Sequence, residues 1–185
     1  ATIERERQSK QQAELAQTLG QEISRMEWLL RSARQLPVHD VNVEKAIVRR
    51  QMSSLQSKLA SYGSMSKGLA HYALGRGHVA LHEYQDARRE LLQALAHGHD
   101  TADVHYALGL VLGKHFEQAM HEARLSGGGD WAQKKLADLA PTFLTPAIAS
   151  LQRSRALHQD SPHYLEALIS YYQGKYPEAL QHAAD

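Results

Sequence analysis

The chain has 185 residues, of which 43% are hydrophobic but only 6% are Phe, Trp or Tyr, and its formal net charge is +1. That length fits one domain or one repeat array with an appendage, and the charge balance points away from a nucleic-acid or membrane-surface partner. The absence of cysteine excludes disulfides, thiolate metal sites and a cysteine nucleophile, and no apolar run approaches the ~20 residues of a membrane span.

In chain order, residues 1–62 predict a helical hairpin. Leu15, Leu19, Ile23, Met26, Leu30 and Ala33 are spaced by three or four residues, which makes one apolar stripe on a helix. The residues from Ile3 to Gln12 are nearly all polar. A stalk leaving a membrane or an upstream domain would start this way, and so would a frayed end. The stripe, about three heptads long, also suits a homodimer seam through this first helix. Pro37 ends the helix, because its ring cannot continue it. Asp40 or Asn42 is placed to cap a second helix, with a stripe of Val48, Met52, Leu55, Leu59 and Tyr62 and a stop at Gly63. This hairpin needs a surface to pack on, and the expected one is the segment that follows, with the hairpin as its cap.

Residues 63–185 carry a repeat. His71-Tyr72-Ala73-Leu74-Gly75 recurs unchanged 34 residues later as His105-Tyr106-Ala107-Leu108-Gly109, and a looser copy, His163-Tyr164-Leu165-Glu166-Ala167, follows after a further 58. A period near 34 residues is that of stacked helical hairpins. The first predicted hairpin covers 68–99, with Tyr84-Gln85-Asp86-Ala87 opening its second helix and Leu91 and Ala94 further along. The second covers 102–158 with an insertion over about 113–143. Its stripe of Val104, Leu108, Leu112, His115, Ala119 and Ala123 runs well past a normal first helix. A loop over Leu125–Asp130 then leads to a short helix from Trp131 to Leu139, capped by Asp130 and stopped by Pro141, and Pro146, Ala147, Leu151 and Leu157 supply the hairpin's second helix. A rival register lets Phe116-Glu117-Gln118-Ala119 open that second helix directly. The third hairpin covers 161–185, with Pro162 starting one helix and Tyr176-Pro177-Glu178-Ala179 opening the other. The first residue is not Met and the last lies inside a helical pattern, so the chain is expected to be part of a longer protein.

The Leu-Gly of the first helix, the Tyr-x-x-Ala that opens the second and the Ala that follows resemble the tetratricopeptide repeat. His71 stands where that family usually has Trp, and the usual terminal Pro is missing. The resemblance covers about residues 68–185. It implies an all-α, right-handed helical solenoid of about three hairpins, with the N-terminal hairpin added. It also implies a concave groove faced by the first-helix residue after the leading marker, hence Tyr72, Tyr106 and Tyr164, joined by Arg76, Lys114, Tyr171 and Tyr172. Tyrosine combines apolar area with a hydroxyl, which suits a peptide or partner helix. The competing reading is that these rings pack between helices.

A narrower resemblance lies in Met26-Glu27-Trp28, Leu36-Pro37-Val38-His39-Asp40, Lys45-Ala46, Arg49 and His71–His78. These residues look like the region preceding and entering the repeats of some bacterial receptor-type serine/threonine protein kinases, in which the repeats lie outside the membrane. The implied function is a non-catalytic sensor that binds a protein, peptide or envelope-derived ligand and signals through its first helix to an attached kinase domain. The residues themselves carry no kinase motif. The alternative is a cytoplasmic scaffold that assembles a protein complex.

No cofactor and no metal is expected. The 12 histidines include His78 and His82, four apart on one predicted helix face, and His97 and His99 around Gly98, yet no carboxylate or thiol visibly completes a ligand set. His71, His105 and His163 read as structural replacements for the family's Trp. Gly127-Gly128-Gly129 lacks the Lys-Ser or Lys-Thr of a phosphate loop and reads as a hinge. Arg49-Arg50, Arg88-Arg89 and Lys134-Lys135 are interleaved with acids and read as solvated faces. A third class, a hydrolase or metal enzyme built in the insertion around His115, His121 and Asp130, has no complete constellation behind it.

Overall fold

A computed structural model describes residues 2–35, 40–126, 129–157 and 163–184. Among them there are nine α-helices, one short 3-10 turn and no strand. No described helix is long and apolar enough to cross a membrane. The chain forms two compact units, Ala1–His99 and Asp100–Asp185.

The first unit holds α1 (Thr2–Gln35), α2 (Asn42–Lys58), the 3-10 turn Leu59–Ser61, α3 (Ser64–Leu81) and α4 (Tyr84–Ala96). The stripe on α1 buries Leu19, Ile23, Met26, Leu30 and Ala33, and α1 and α2 both pack on α3. Met26, Leu30, Val48, Met52, Leu74 and Leu81 make one cluster. Each large side chain there contributes about 1.5–3 kcal/mol by leaving water. The unit boundary therefore falls after His99, whereas the sequence reading divides the chain at 62/63. The apolar faces of the N-terminal hairpin are covered by α3, which makes it part of the first repeat's core. The residues from Ile3 to Glu14 are exposed along α1.

The second unit holds α5 (Ala102–Ser126), α6 (Asp130–Leu139), α7 (Leu144–Leu157), α8 (His163–Tyr172) and α9 (Tyr176–Ala184). α5 runs unbroken through Phe116, so no helix begins there as the rival register would have it. Leu125 and Ser126, expected in a loop, are its last residues. α6 lies on α5, α7 pairs with α5, α8 packs on α7, and α9 pairs with α8.

The two hairpins α3–α4 and α5–α7 are built on one rule. A Cβ added at Gly75 would lie 2.8 Å from Leu91 Cγ, and one added at Gly109 would lie 2.6 Å from Leu151 Cγ. Each glycine thus lets a leucine of the partner helix reach the backbone of the first helix. Ala87 and Ala94 on α4 correspond to Ala147 and Ser154 on α7, and all four are fully buried. First helices are displaced by 34 positions and second helices by 60, so the insertion amounts to 26 residues between them.

Several helix ends differ from expectation. Gly63 is the N-cap of α3 and not the stop of α2, which has already tightened into the 3-10 turn. Val41 is the N-cap of α2, and the Asp40 carboxylate accepts the Asn42 N–H at 2.9 Å. Asp130 lies inside the first turn of α6, whose N-cap is Gly129 at φ 77. His82 lies past the end of α3 in the left-handed region, φ 63, so it does not share a helix face with His78. There the Glu83 N–H reaches back to the His78 carbonyl at 2.9 Å, a six-to-one closure that leaves a left-handed residue at the turn. Gly174, φ 76, takes that place between α8 and α9. The expected roles of Pro37, of Gly127 and Gly128, and of Pro162 lie outside the described residues.

Candidate binding face

The seven residues expected to line a groove fall into two groups, one in each unit. In the first unit, Tyr72 is buried at 8% exposure. Its hydroxyl accepts from Arg76 Nη1 at 2.8 Å, and its ring lies 5.5 Å from that of His99. Arg76 also forms an ion pair with Glu27 on α1. Burial alone would lower the guanidinium's pKa, but Tyr72 and Glu27 more than offset it and raise it. Tyr72, Arg76 and Glu27 form a polar strut that ties α1 to α3. The Tyr72 ring therefore offers little free surface.

In the second unit five of the expected residues gather on α5 and α8. Tyr106 and Tyr164, which hold the same place in successive motif copies, meet edge to face at 5.4 Å. Tyr171 meets Tyr172 at 5.2 Å and Tyr176 at 5.9 Å, both edge to face. Tyr164 and Tyr171 are 50% and 40% exposed, whereas Tyr172 is 7% exposed. Tyr172 turns back into the unit and donates to Glu117 Oε1 at 3.1 Å, while Lys114 pairs with Glu117 Oε2 at 2.6 Å. Burial, then the adjacent Glu117 carboxylate, raises the pKa of the Tyr172 hydroxyl. A Cβ at Gly113 would overlap that hydroxyl, so the glycine makes the space for it.

Beside these rings lies an open, mostly apolar groove of about 830 Å³, lined among others by Tyr164, Ala167, Leu168, Tyr171, Tyr176 and Leu180. Tyr176 and Leu180 are 60% and 73% exposed, and neither was among the expected site residues. Their signal in the sequence is an apolar pair four apart in the last helix, which a single-helix reading assigns to a core.

Two of the three repeated histidines have structural partners, while His163 is exposed. His71 Nδ1 lies 2.7 Å from Glu90 Oε2 and its ring stacks on His97 at 5.3 Å, and His105 Nε2 lies 2.6 Å from Asp100 Oδ1. The hydrogen bond from His105 lowers the pKa of the Asp100 carboxyl, with Arg153 adding to it.

Folding does bring carboxylates to His78, which the sequence alone does not reveal. His78, Glu83 and Asp86 hold potential ligand atoms within 4.8 Å of one another, the sole such group among the described residues. Each carboxylate has a guanidinium partner, Arg49 on Glu83 at 2.6 Å and Arg89 on Asp86 at 2.8 Å. Burial would raise the Glu83 pKa, but its hydrogen bonds to Arg49 and His78 lower it. The start of α4 adds a positive helix end. The group works as a clamp across the α3–α4 turn. In the insertion, His121 and Asp130 are exposed and His115 stacks on Phe143 at 5.3 Å, so these three form no ligand group.

No protein-family model, no curated protein and no solved structure matches the chain.

Proposed function

We propose that the chain is a non-catalytic, tetratricopeptide-like sensor domain that binds a protein or peptide through the exposed tyrosines of its second unit, Tyr164 and Tyr171. On this reading it is the extracytoplasmic regulatory region of a bacterial receptor-type serine/threonine protein kinase. The observation that carries the binding role is the meeting of Tyr106 and Tyr164, one motif position repeated on α5 and α8, with the exposed Tyr171 on the same helix as Tyr164. Exposed rings held by their neighbours offer wide contact at small entropic cost, and their hydroxyls can reach a peptide backbone. The glycine–leucine crossing shared by two hairpins supports the repeat reading. The long α1, exposed from Ile3 to Glu14, supports a connecting role toward a preceding domain.

The test pans a library of random peptides on the 185-residue chain and titrates the selected peptides against Tyr164→Ala/Tyr171→Ala. Both rings are substantially exposed, so the double variant is expected to fold and to lose at least tenfold in affinity, about 1.4 kcal/mol. Unchanged binding by the folded variant would remove these rings from the site. Tyr72→Ala is a poor probe, because it breaks the strut to α1. For the kinase assignment, the decisive observation is the coding sequence before Ala1. A membrane span and kinase motifs support it, and their absence favours a cytoplasmic scaffold.

A further inference from the structure

The second unit contains one occupied groove and one open groove built from corresponding residues. In the α5–α7 hairpin, Tyr106, Leu144, Ile148 and Leu151 form the surface on which α8 lies, and α8 presents Leu165, Ile169 and Tyr172 to it. Those three side chains are spaced i, i+4, i+7, one face of a helix. In the α8–α9 hairpin, the residues that follow 58 positions after α5 and 32 after α7 are Tyr164, Tyr176, Leu180 and Ala183. All four line the open groove. Ala147 on α7 and Ala179 on α9 are both buried at the same place in their helices, which fixes this alignment.

One position differs in a way that specifies the occupant. Gly113 leaves room on α5 for the Tyr172 ring, and its counterpart on α8 is Tyr171. A helix lying on the open groove as α8 lies on the occupied one would bring its i+7 side chain to Tyr171. We propose that the open face of the α8–α9 hairpin is a docking site for an amphipathic α-helix with branched aliphatic residues at i and i+4 and a small residue at i+7. Helix-in-groove binding of this kind is read through such anchors. The inference rests on the match between the two grooves and does not require the tyrosine-face reading. Leu180 separates them, since it belongs to this groove alone.

The probe is a synthetic peptide of residues 163–172 carrying Tyr172→Ala and held helical by a side-chain staple, because so short a helix is marginal in water. It is titrated into the isotope-labelled 185-residue chain, with amide shifts read by NMR. The expected result is saturable shifts centred on Leu168, Tyr171, Ala179 and Leu180, weakened about tenfold or more by Leu180→Asp. Leu180 is 73% exposed, so the variant keeps its fold, checked by unchanged shifts in α5 and α7. A peptide retaining Tyr172 is expected to bind less tightly than the Ala form. Absence of shifts, shifts centred elsewhere, or indifference to Leu180→Asp overturns the proposal. So does a concentration-dependent dimer abolished by Leu180→Asp, which would make a second copy the occupant.

Discussion

The crossing of α5 and α7 can be tested at one atom. Gly109→Ala adds a Cβ 2.6 Å from Leu151 Cγ, 2.7 Å from Leu151 Cδ2 and 3.2 Å from the Ala147 carbonyl oxygen. Carbon atoms prefer about 3.5–4.0 Å, so the overlap is close to an ångström. Leu151 cannot step aside, because it is fully buried and packed on Leu165, Ile169 and Tyr172. Helix propensity favours alanine by about 1 kcal/mol, while overpacking costs about 1–3 kcal/mol. Overlap with a trapped side chain and a backbone oxygen puts the cost at the upper end, and a net destabilisation of about 1–2 kcal/mol is expected. Gly20→Ala is the control. It lies inside α1 with nothing within 4 Å of the added Cβ, so propensity alone acts and the variant should be stabilised by up to about 1 kcal/mol. Urea unfolding followed by circular dichroism reads both as midpoint shifts at constant slope. Leu151→Ala should then cost less in the Gly109→Ala background than alone, with a coupling of about 1 kcal/mol or more. If Gly109→Ala raises the midpoint as Gly20→Ala does, close helix approach is not why glycine stands there.

Two further outcomes are expected. Ser154 is fully buried, its hydroxyl has no hydrogen-bond partner among the described residues, and its counterpart in the first hairpin is Ala94. Ser154→Ala should therefore stabilise the second unit by about 1 kcal/mol in the same assay, and a loss of stability would contradict the assignment. For pH, Glu83 and Asp100 have folded pKa values below their ordinary values of 4.5 and 3.8. A depressed carboxyl contributes stability that is fully present above its ordinary value and is lost as pH falls through the folded value. Stability should begin to fall below pH 4.5 and keep falling below 3.8, with Glu83→Gln flattening the upper part and Asp100→Asn the lower. Midpoints that do not move between neutral pH and the acid limb would refute this linkage.

Much of the helical order was legible in the residues. The α1 stripe, the repeated His-Tyr-Ala-Leu-Gly and the unbroken spacing through Ala123 are local periodicities, and a helix presents a local period as one face whatever lies opposite. The same locality explains what was missed. Tyr72, Tyr106 and Tyr164 share a motif position, yet Tyr72 is buried while Tyr164 is half exposed, because exposure depends on which helix lies across the ring. Tyr172 and Tyr171 are adjacent in the chain, and Gly113 on α5 admits one of them. The carboxylates beside His78 arrive only when the chain reverses at His82, and the groove at Tyr176 and Leu180 exists only once α9 folds onto α8. The order and period of the helices were thus set by the sequence alone, since both depend on near neighbours. Which faces were covered, which rings stayed free and which charges met were decided by tertiary packing, since each depends on atoms distant in the chain.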